Sequence, residues 1–204
     1  MSHDTHRQQF NSKLLPWILG GVMTLAYLLT MGHGLTASNL GLVTQLAGYE
    51  WPKNNLPPAL LIASLPLRFF DTGSTPLTVN FLSALTGGLV LVLLARCVSL
   101  LPHDRTPAQR DRERSEHSTL SIHSAWLPPL LAVLACGLQL TFWESAVNGS
   151  GRILEALLFI YPIRCLLEYR MDGEKKWLTK AAFVFGLGMA NNWLMIALLP
   201  AFLA

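Results

Sequence analysis

The chain has 204 residues, of which 51% are hydrophobic and 13% are charged, with a formal net charge of +3 and a mean hydropathy of +0.40. Soluble domains carry roughly 25% charged residues, so this composition argues against an ordinary soluble protein. The excess of apolar side chains predicts instead a protein whose outer surface lies in a lipid bilayer. The three cysteines, Cys97, Cys136 and Cys165, show neither a pairing nor a metal-binding spacing, so we expect them to be small apolar residues within spans. We expect no cofactor and no metal-binding residues, and the sequence leaves a metal requirement open.

A polar N-terminal tail, residues 1–13, precedes a membrane domain over residues 14–204. Uncharged or nearly uncharged runs of helical length predict the membrane spans at residues 14–31, 77–95, 125–143, 153–167 and 178–204. The last run contains Asn191-Asn192, where we expect a break into two half-spans. A cleaved signal peptide is the alternative for residues 14–31, but that run is longer than a usual signal core. The predicted fold class is an all-α integral membrane protein with about five to six transmembrane helices.

The basic residues are unequally distributed between the two sides of this alternating arrangement. Of the 15 Lys and Arg residues, only Lys53, Arg68 and Arg152 fall opposite the N-terminus. The positive-inside rule therefore predicts a cytoplasmic N-terminus, a cytoplasmic loop at 96–124 and insertion in the cell (inner) membrane. The external loop, residues 32–76, follows the first span and is predicted to contain a short helix. Its later run, 58–70, is expected to lie along the outer interface.

Residues 70–74, Phe-Asp-Thr-Gly-Ser, resemble the catalytic turn of pepsin-like aspartic proteases, with Asp71 in the acid position. Such a site needs flanking strands and a second Asp-Thr-Gly, so that two carboxylates share a proton. The sequence after Asp71 is instead an apolar run of helical length. We therefore interpret the stretch as a turn and helix start, with Thr75 as the cap and Pro76 in the first helical turn.

Several short motifs, taken in order, resemble one family. They are Asn-Phe-Leu-Ser-Ala-Leu at 80–85, Thr-Phe-Trp-Glu-Ser-Ala-Val at 141–147 and Gly-Leu-Gly-Met-Ala-Asn at 186–191, before an apolar stretch that ends in Pro200. This order resembles the bacterial domain-of-unknown-function relatives of protein O-mannosyltransferases, which belong to the GT-C class of polytopic glycosyltransferases. The resemblance covers nearly the whole chain after the tail. It implies a membrane enzyme with a polyprenyl-phosphate-linked sugar as donor and an acidic residue in the first external loop.

The ionisable residues of that family pattern are mostly missing here. Where the relatives have Asp-Ser-Gly-Glu, this chain has Thr-Ala-Ser-Asn at 36–39, and the later His-Pro-Pro segment keeps two prolines at 51–57 without the His. Ser-Gly-Arg at 150–152 replaces Glu-Val-Tyr, and Asn191-Asn192 replaces Asn-His. Ser38 and Asn39 are expected to cap the short helix, but neither accepts a proton from a hydroxyl near neutral pH.

The acids of the external segments are the remaining candidates for a catalytic base. We name Glu50 and Asp71 as candidate catalytic residues, and Glu144 is the other acid in these segments. Glu50 lies between Tyr49 and Trp51, which are candidate substrate-binding residues because aromatic rings stack on sugars. The same two rings also suit the membrane interface, in which case Glu50 is a solvated loop charge.

The three external cations, Lys53, Arg68 and Arg152, are candidate ligands of a lipid phosphate, with ordinary interfacial charge as the alternative. Glu155 follows Arg152 by one helical turn and is close enough to pair with it. Arg164, near the end of its span, is expected to snorkel outward. The arginines at 105–114 alternate with acids, which favours a topology determinant over nucleic-acid binding.

Three classes of function remain open. The chain ends in apolar sequence and lacks the acidic motif, so it is expected to be either a divergent enzyme, an inactive relative or a fragment. A non-catalytic membrane subunit or lipid-binding scaffold is the second class. A small transporter with a site at Asn191-Asn192 is the third, although no internal repeat supports it. Glycines inside the apolar runs, at 20–21, 87–88, 186 and 188, are expected to allow close helix approach.

Overall fold

The computed structural model describes residues 14–51, 57–67, 72–101 and 126–200, and all regular structure within these ranges is helical. The α-helices there are α1 (Leu15–Thr30), α2 (Leu40–Leu46), α3 (Pro57–Leu67), α4 (Thr75–Leu100), α5 (Leu127–Gly137), α6 (Leu140–Val147), α7 (Arg152–Asp172) and α8 (Lys175–Asn191). Two 3₁₀ segments lie at Thr72–Ser74 and Trp193–Leu198. The prediction of an all-α fold is confirmed.

Helix α4 forms the centre of the bundle, because it contacts α1, α5, α6 and α7 as well as the short helices α2 and α3. It has no charged residue before Arg96, and Pro76 lies in its first turn, where a missing N–H does no harm. The predicted cap, Thr75, is the first helical residue instead. Ser74 takes the cap position without a side-chain hydrogen bond to the helix, and the preceding 3₁₀ turn leads the chain into it.

Helices α1 and α4 approach closely at Gly20 and Gly88. A Cβ atom added to Gly20 would overlap Val92, and one added to Gly88 would overlap Thr24. The Thr24 hydroxyl donates to the Gly20 carbonyl over 2.7 Å, so its polar atom is satisfied within α1. The expected close approach is confirmed for these two glycines. It is wrong for Gly21 and Gly186, which have open space around them.

The core surrounds Tyr27, which is completely buried between α1, α5 and α6. Its ring meets Trp143 edge-on at a centroid distance of 5.0 Å, and its hydroxyl donates to the Gly137 carbonyl over 2.8 Å. Gly137 is the last residue of α5, where carbonyls lose their helical partners. Tyr27 therefore provides a hydrogen-bond donor for a backbone carbonyl at the 71° bend between α5 and α6.

The number of membrane spans is not confirmed. Within the described ranges, α4 alone is long and apolar enough to cross a bilayer, and the bent pair α5–α6 adds a second if it is one span. Helix α1 has 16 residues, and α7 contains both acids and arginines. Helix α8 ends at Asn191, and the 3₁₀ segment follows. Helix α3 is short and contains Pro66.

Candidate functional site

The loop after α1 is held to the start of α4 by two completely buried asparagines, Asn39 and Asn80. Asn39 Nδ2 donates to Asn80 Oδ1 over 3.1 Å and to the Gly34 carbonyl over 3.2 Å. Asn39 Oδ1 accepts from the Thr36 amide over 2.8 Å. Asn80 Nδ2 in turn donates to the Gly32 carbonyl over 2.7 Å. Both side-chain amides are thereby satisfied without water.

Backbone groups fix which way the two amides point. A backbone N–H can only donate and a carbonyl can only accept, so the Asn39 oxygen must face Thr36 and its nitrogen must face Gly34. The Asn80 oxygen must then face Asn39. A carboxylate at position 39 would set one oxygen against the two acceptors of Gly34 and Asn80. Position 39 is therefore built for an amide and not for a carboxylate.

This arrangement corrects the predicted role of Asn39. It does occupy the N-cap position of α2, but its side chain makes no hydrogen bond to that helix. The side chain turns back into the loop because Asn80 and two backbone groups offer it three partners there.

The turn between α6 and α7 packs against the same asparagines. Gly149 has a φ of +60° and lies so close to Asn80 and Val79 that a Cβ atom would overlap both. The Asn148 side chain faces Gly32. Ser150 follows, and its buried hydroxyl has no hydrogen-bond partner in the described structure. The turn is thus fixed on one side by the asparagine pair.

On its other side, the turn borders an apolar groove between α2, α3, α4 and the start of α7. The groove is shallow and partly open to solvent, with a cavity volume of about 40 Å³. Its walls are formed by Leu42, Ala59, Ile62, Ala63, Val79, Leu82, Ser83, Thr86, Gly151, Ile153 and Leu154. The Thr86 hydroxyl already donates to the Leu82 carbonyl over 2.7 Å, so the groove presents mainly apolar surface. The groove is therefore a small, mainly apolar contact surface beside the turn.

Arg152 lies at the rim of this groove. It is the first residue of α7, it is exposed, and its neighbours Gly151 and Ile153 are part of the groove wall. The suggested pair with Glu155 is absent, and Arg152 makes no ion pair with any described residue. A free guanidinium beside an apolar channel can bind a phosphate that caps a lipid chain.

The other candidate residues are not brought to this groove. Tyr49 and Trp51 are 84% and 92% exposed, Glu50 between them is exposed, and none of the three forms part of the groove wall. They follow a tight turn at Gly48, whose φ is +78°. The candidates Asp71, Lys53 and Arg68 lie outside the described residues. Glu144 is exposed on α6.

In the described ranges, no three His, Cys, Asp or Glu side chains lie close enough together to hold a metal ion. The site therefore consists of the asparagine pair, the glycine-rich turn, the groove and Arg152.

Sequence reasoning missed a charged cluster at the opposite end of the bundle. Arg96 of α4 binds Glu168 of α7, with Nε and Nη2 at 2.8 and 2.7 Å from the same Oε1 atom. Arg164 approaches that oxygen over 3.5 Å, so it turns inward and does not snorkel as predicted. The spacing of Arg164 and Glu168, four residues apart on one helix, was the available signal.

Residues 57–204 match the sequence model of the family described as "Protein O-mannosyl-transferase TMEM260 N-terminal domain". The matched range includes helices α3 to α8, Arg152, Asn80 and all of the groove wall except Leu42. Asn39 precedes it. No curated protein and no solved structure shows significant similarity to the chain.

Proposed function

Because the chain belongs to the protein O-mannosyl-transferase TMEM260 N-terminal domain family, we propose that it is a membrane-embedded, GT-C-type glycosyltransferase-like protein that binds a polyprenyl-phosphate-linked sugar. The observation that carries this proposal is the apolar groove with the exposed Arg152 at its rim, which has no ion pair with a residue that the structure describes. In the proposed complex, the prenyl chain occupies the groove and the phosphate pairs with Arg152. Burial of a hydrocarbon chain gives affinity in proportion to its length, and the ion pair fixes the phosphate.

The surroundings of the groove support a position at the membrane interface. Helix α3, which forms one wall, exposes Leu61 and Leu65 on its outer side. It carries no charge and contains Pro66, which is unfavourable inside a long spanning helix. Because α3 is too short and too interrupted for a full crossing, we place it near the outer interface, at the depth of a lipid phosphate.

Sugar transfer needs a base for the acceptor hydroxyl, and the loop position used by the relatives does not provide one. Asn39 and Thr36 carry no carboxylate, and both are engaged in the asparagine network. We assign the base to Glu50 or Asp71, the acids of the same external loop. Metal assistance has no ligand set among the described residues.

A second candidate function is a non-catalytic donor-binding subunit. It is favoured by the Asn39–Asn80 bond, because that bond fills the position of the missing acid with a closed, fully satisfied amide pair. In this case, the protein presents the lipid-linked sugar to a partner that carries out the transfer.

Donor binding is tested with polyprenyl-phosphate mannose as the probe and the full chain in a neutral detergent. We expect Arg152→Gln to weaken binding about tenfold, the low end for a charge-assisted contact. Lys175→Gln, a charge removal at the other end of α7–α8, is the matched control and should bind like the parent. Equal affinity of the Arg152→Gln variant and the parent would contradict the proposed phosphate contact.

The transfer assay separates the two candidate functions. With an enzyme, the parent transfers the sugar, and either Glu50→Gln or Asp71→Asn abolishes transfer while donor binding persists. With a donor-binding subunit, the parent binds the donor and transfers nothing. A parent that neither binds nor transfers rules out both.

A further inference from the structure

Trp177, at the start of α8, collects three cations around one indole ring. Arg164 from α7 lies 5.6 Å from the ring centroid, Lys176 lies 5.5 Å from it and Lys180 lies 4.7 Å from it. The Trp177 Nε1 atom donates to Asp172 over 3.3 Å, which fixes the plane of the ring. Three like charges on one ring repel one another unless anions lie between them.

The acids nearby neutralise only part of this charge. Glu168 is shared by Arg164 and Arg96, Glu174 pairs with Lys176, and Asp172 accepts the hydrogen bond from the Trp177 ring, so three acids face four cations. Lys180, the cation nearest the ring, has no carboxylate within ion-pair distance in the part of the chain that the structure describes. The cluster therefore retains positive charge on an exposed surface.

An apolar stripe continues directly from the two lysines along α8. Lys176, Lys180, Phe183 and Leu187 follow one another at intervals of four, three and four residues, which places them on one face of the helix. Phe183 and Leu187 are 67% and 39% exposed. This face of α8 thus carries two ammonium groups at its N-terminal end and exposed apolar side chains further along. Trp177 lies beside the boundary between the two parts.

We propose that this face binds an anionic phospholipid, with the headgroup phosphate between Lys180 and Arg164 and an acyl chain along Phe183 and Leu187. The phosphate supplies the missing counter-charge, and the apolar stripe distinguishes a lipid from a free anion. Trp177 holds Lys180 and Arg164 at the level of the lipid headgroup, where indole rings are enriched in membrane proteins. The site lies at the opposite end of α7 from Arg152, so it is independent of the donor groove.

The proposal is tested by titrating the full chain in neutral detergent with dioleoyl-phosphatidylglycerol and, separately, with dioleoyl-phosphatidylcholine. Binding is read by native mass spectrometry and by the shift of the unfolding temperature. We expect phosphatidylglycerol alone to bind and to raise the unfolding temperature. Lys180→Gln should weaken that binding about fivefold, the effect of one basic residue near a lipid phosphate.

Lys175→Gln is the matched control, because Lys175 is exposed on the same turn of α8 but is not against the Trp177 ring. An equal loss in Lys175→Gln and Lys180→Gln would mean diffuse attraction and would overturn the site. Phe183→Ser leaves the cations in place and should weaken the binding of phosphatidylglycerol but not the binding of inorganic phosphate. Full competition by inorganic phosphate, or equal binding of phosphatidylcholine, would also overturn the proposal.

Discussion

Asn39 donates a hydrogen bond to Asn80 over 3.1 Å, and this bond joins the loop after α1 to the buried face of α4. The two side chains also form hydrogen bonds with backbone groups of Gly34, Thr36 and Gly32, so the oxygen and the nitrogen of each side-chain amide have a partner. The Asn39–Asn80 pair therefore acts as a structural clamp on the loop after α1.

Replacing Asn39 by Asp is expected to destabilise the protein. The change keeps the shape of the side chain, removes two donated hydrogen bonds and sets a buried carboxylate oxygen against two acceptors. Each orphaned buried group costs about 1–3 kcal/mol, and a buried charge adds to this. Thermal unfolding in detergent measures the effect, with the exposed neighbour Ser38→Ala as the control. An unchanged unfolding temperature in Asn39→Asp would refute the clamp.

The glycine contact between α1 and α4 predicts a second pair of variants. Gly88→Ala places a methyl group into Thr24, and overpacking of this kind costs about 1–3 kcal/mol. Gly21→Ala adds the same methyl group where no atom lies within 4 Å, and a helical alanine is favoured over glycine. The unfolding temperature should therefore fall in Gly88→Ala and stay level or rise in Gly21→Ala. Equal effects would mean that the helices do not meet at this point.

Glu168 is expected to be the most sensitive carboxylate in the described structure. Its side chain is 9% exposed, and Glu168→Gln would leave the charges of Arg96 and Arg164 without their shared partner. Because the arginines are 28% and 19% exposed, water screens them in part and we expect a loss of about 1–3 kcal/mol.

Glu174→Gln is the control for this prediction. It breaks a pair with Lys176 whose members are both about half exposed, so water screens the pair and its loss should destabilise the protein far less than Glu168→Gln. Denaturant unfolding in mixed micelles compares the two variants. An equal loss of unfolding free energy in Glu174→Gln and Glu168→Gln would show that burial does not strengthen the α4–α7 cluster.

The charge distribution along the sequence predicts the membrane orientation. Tyr49→Cys in the external loop should react with a membrane-impermeant maleimide in intact cells, whereas Arg110→Cys should react only after lysis. The parent is the control, because Cys97 and Cys165 are buried and any labelling of the partly buried Cys136 gives the background to subtract. Labelling of Arg110→Cys in intact cells would reverse the orientation, and a chain that stays soluble without detergent would exclude membrane insertion.

The sequence predicted the features that depend on local pattern. Apolar runs gave the helical class, Pro76 marked the start of α4, and small residues marked the contact at Gly20 and Gly88.

Features that join distant parts of the chain could not be predicted in this way. Arg96 and Glu168 are 72 residues apart, and Tyr27 is 110 residues from the carbonyl that it satisfies. Asparagine is a common N-cap residue, and only the position of Asn80 shows that the Asn39 side chain forms its hydrogen bonds away from the helix. The bend between α5 and α6 interrupts a run whose hydropathy suggested one continuous span.

The groove as a donor site is tested most directly by photo-crosslinking the full chain with a polyprenyl phosphate that carries a diazirine on its prenyl chain. Peptide mapping should place the crosslinks on α3 and on the start of α7, around Ile62 and Leu154, and unlabelled polyprenyl-phosphate mannose should suppress them. Crosslinks spread over all lipid-facing helices, or crosslinks at the groove that the unlabelled donor does not reduce, would contradict the proposed function.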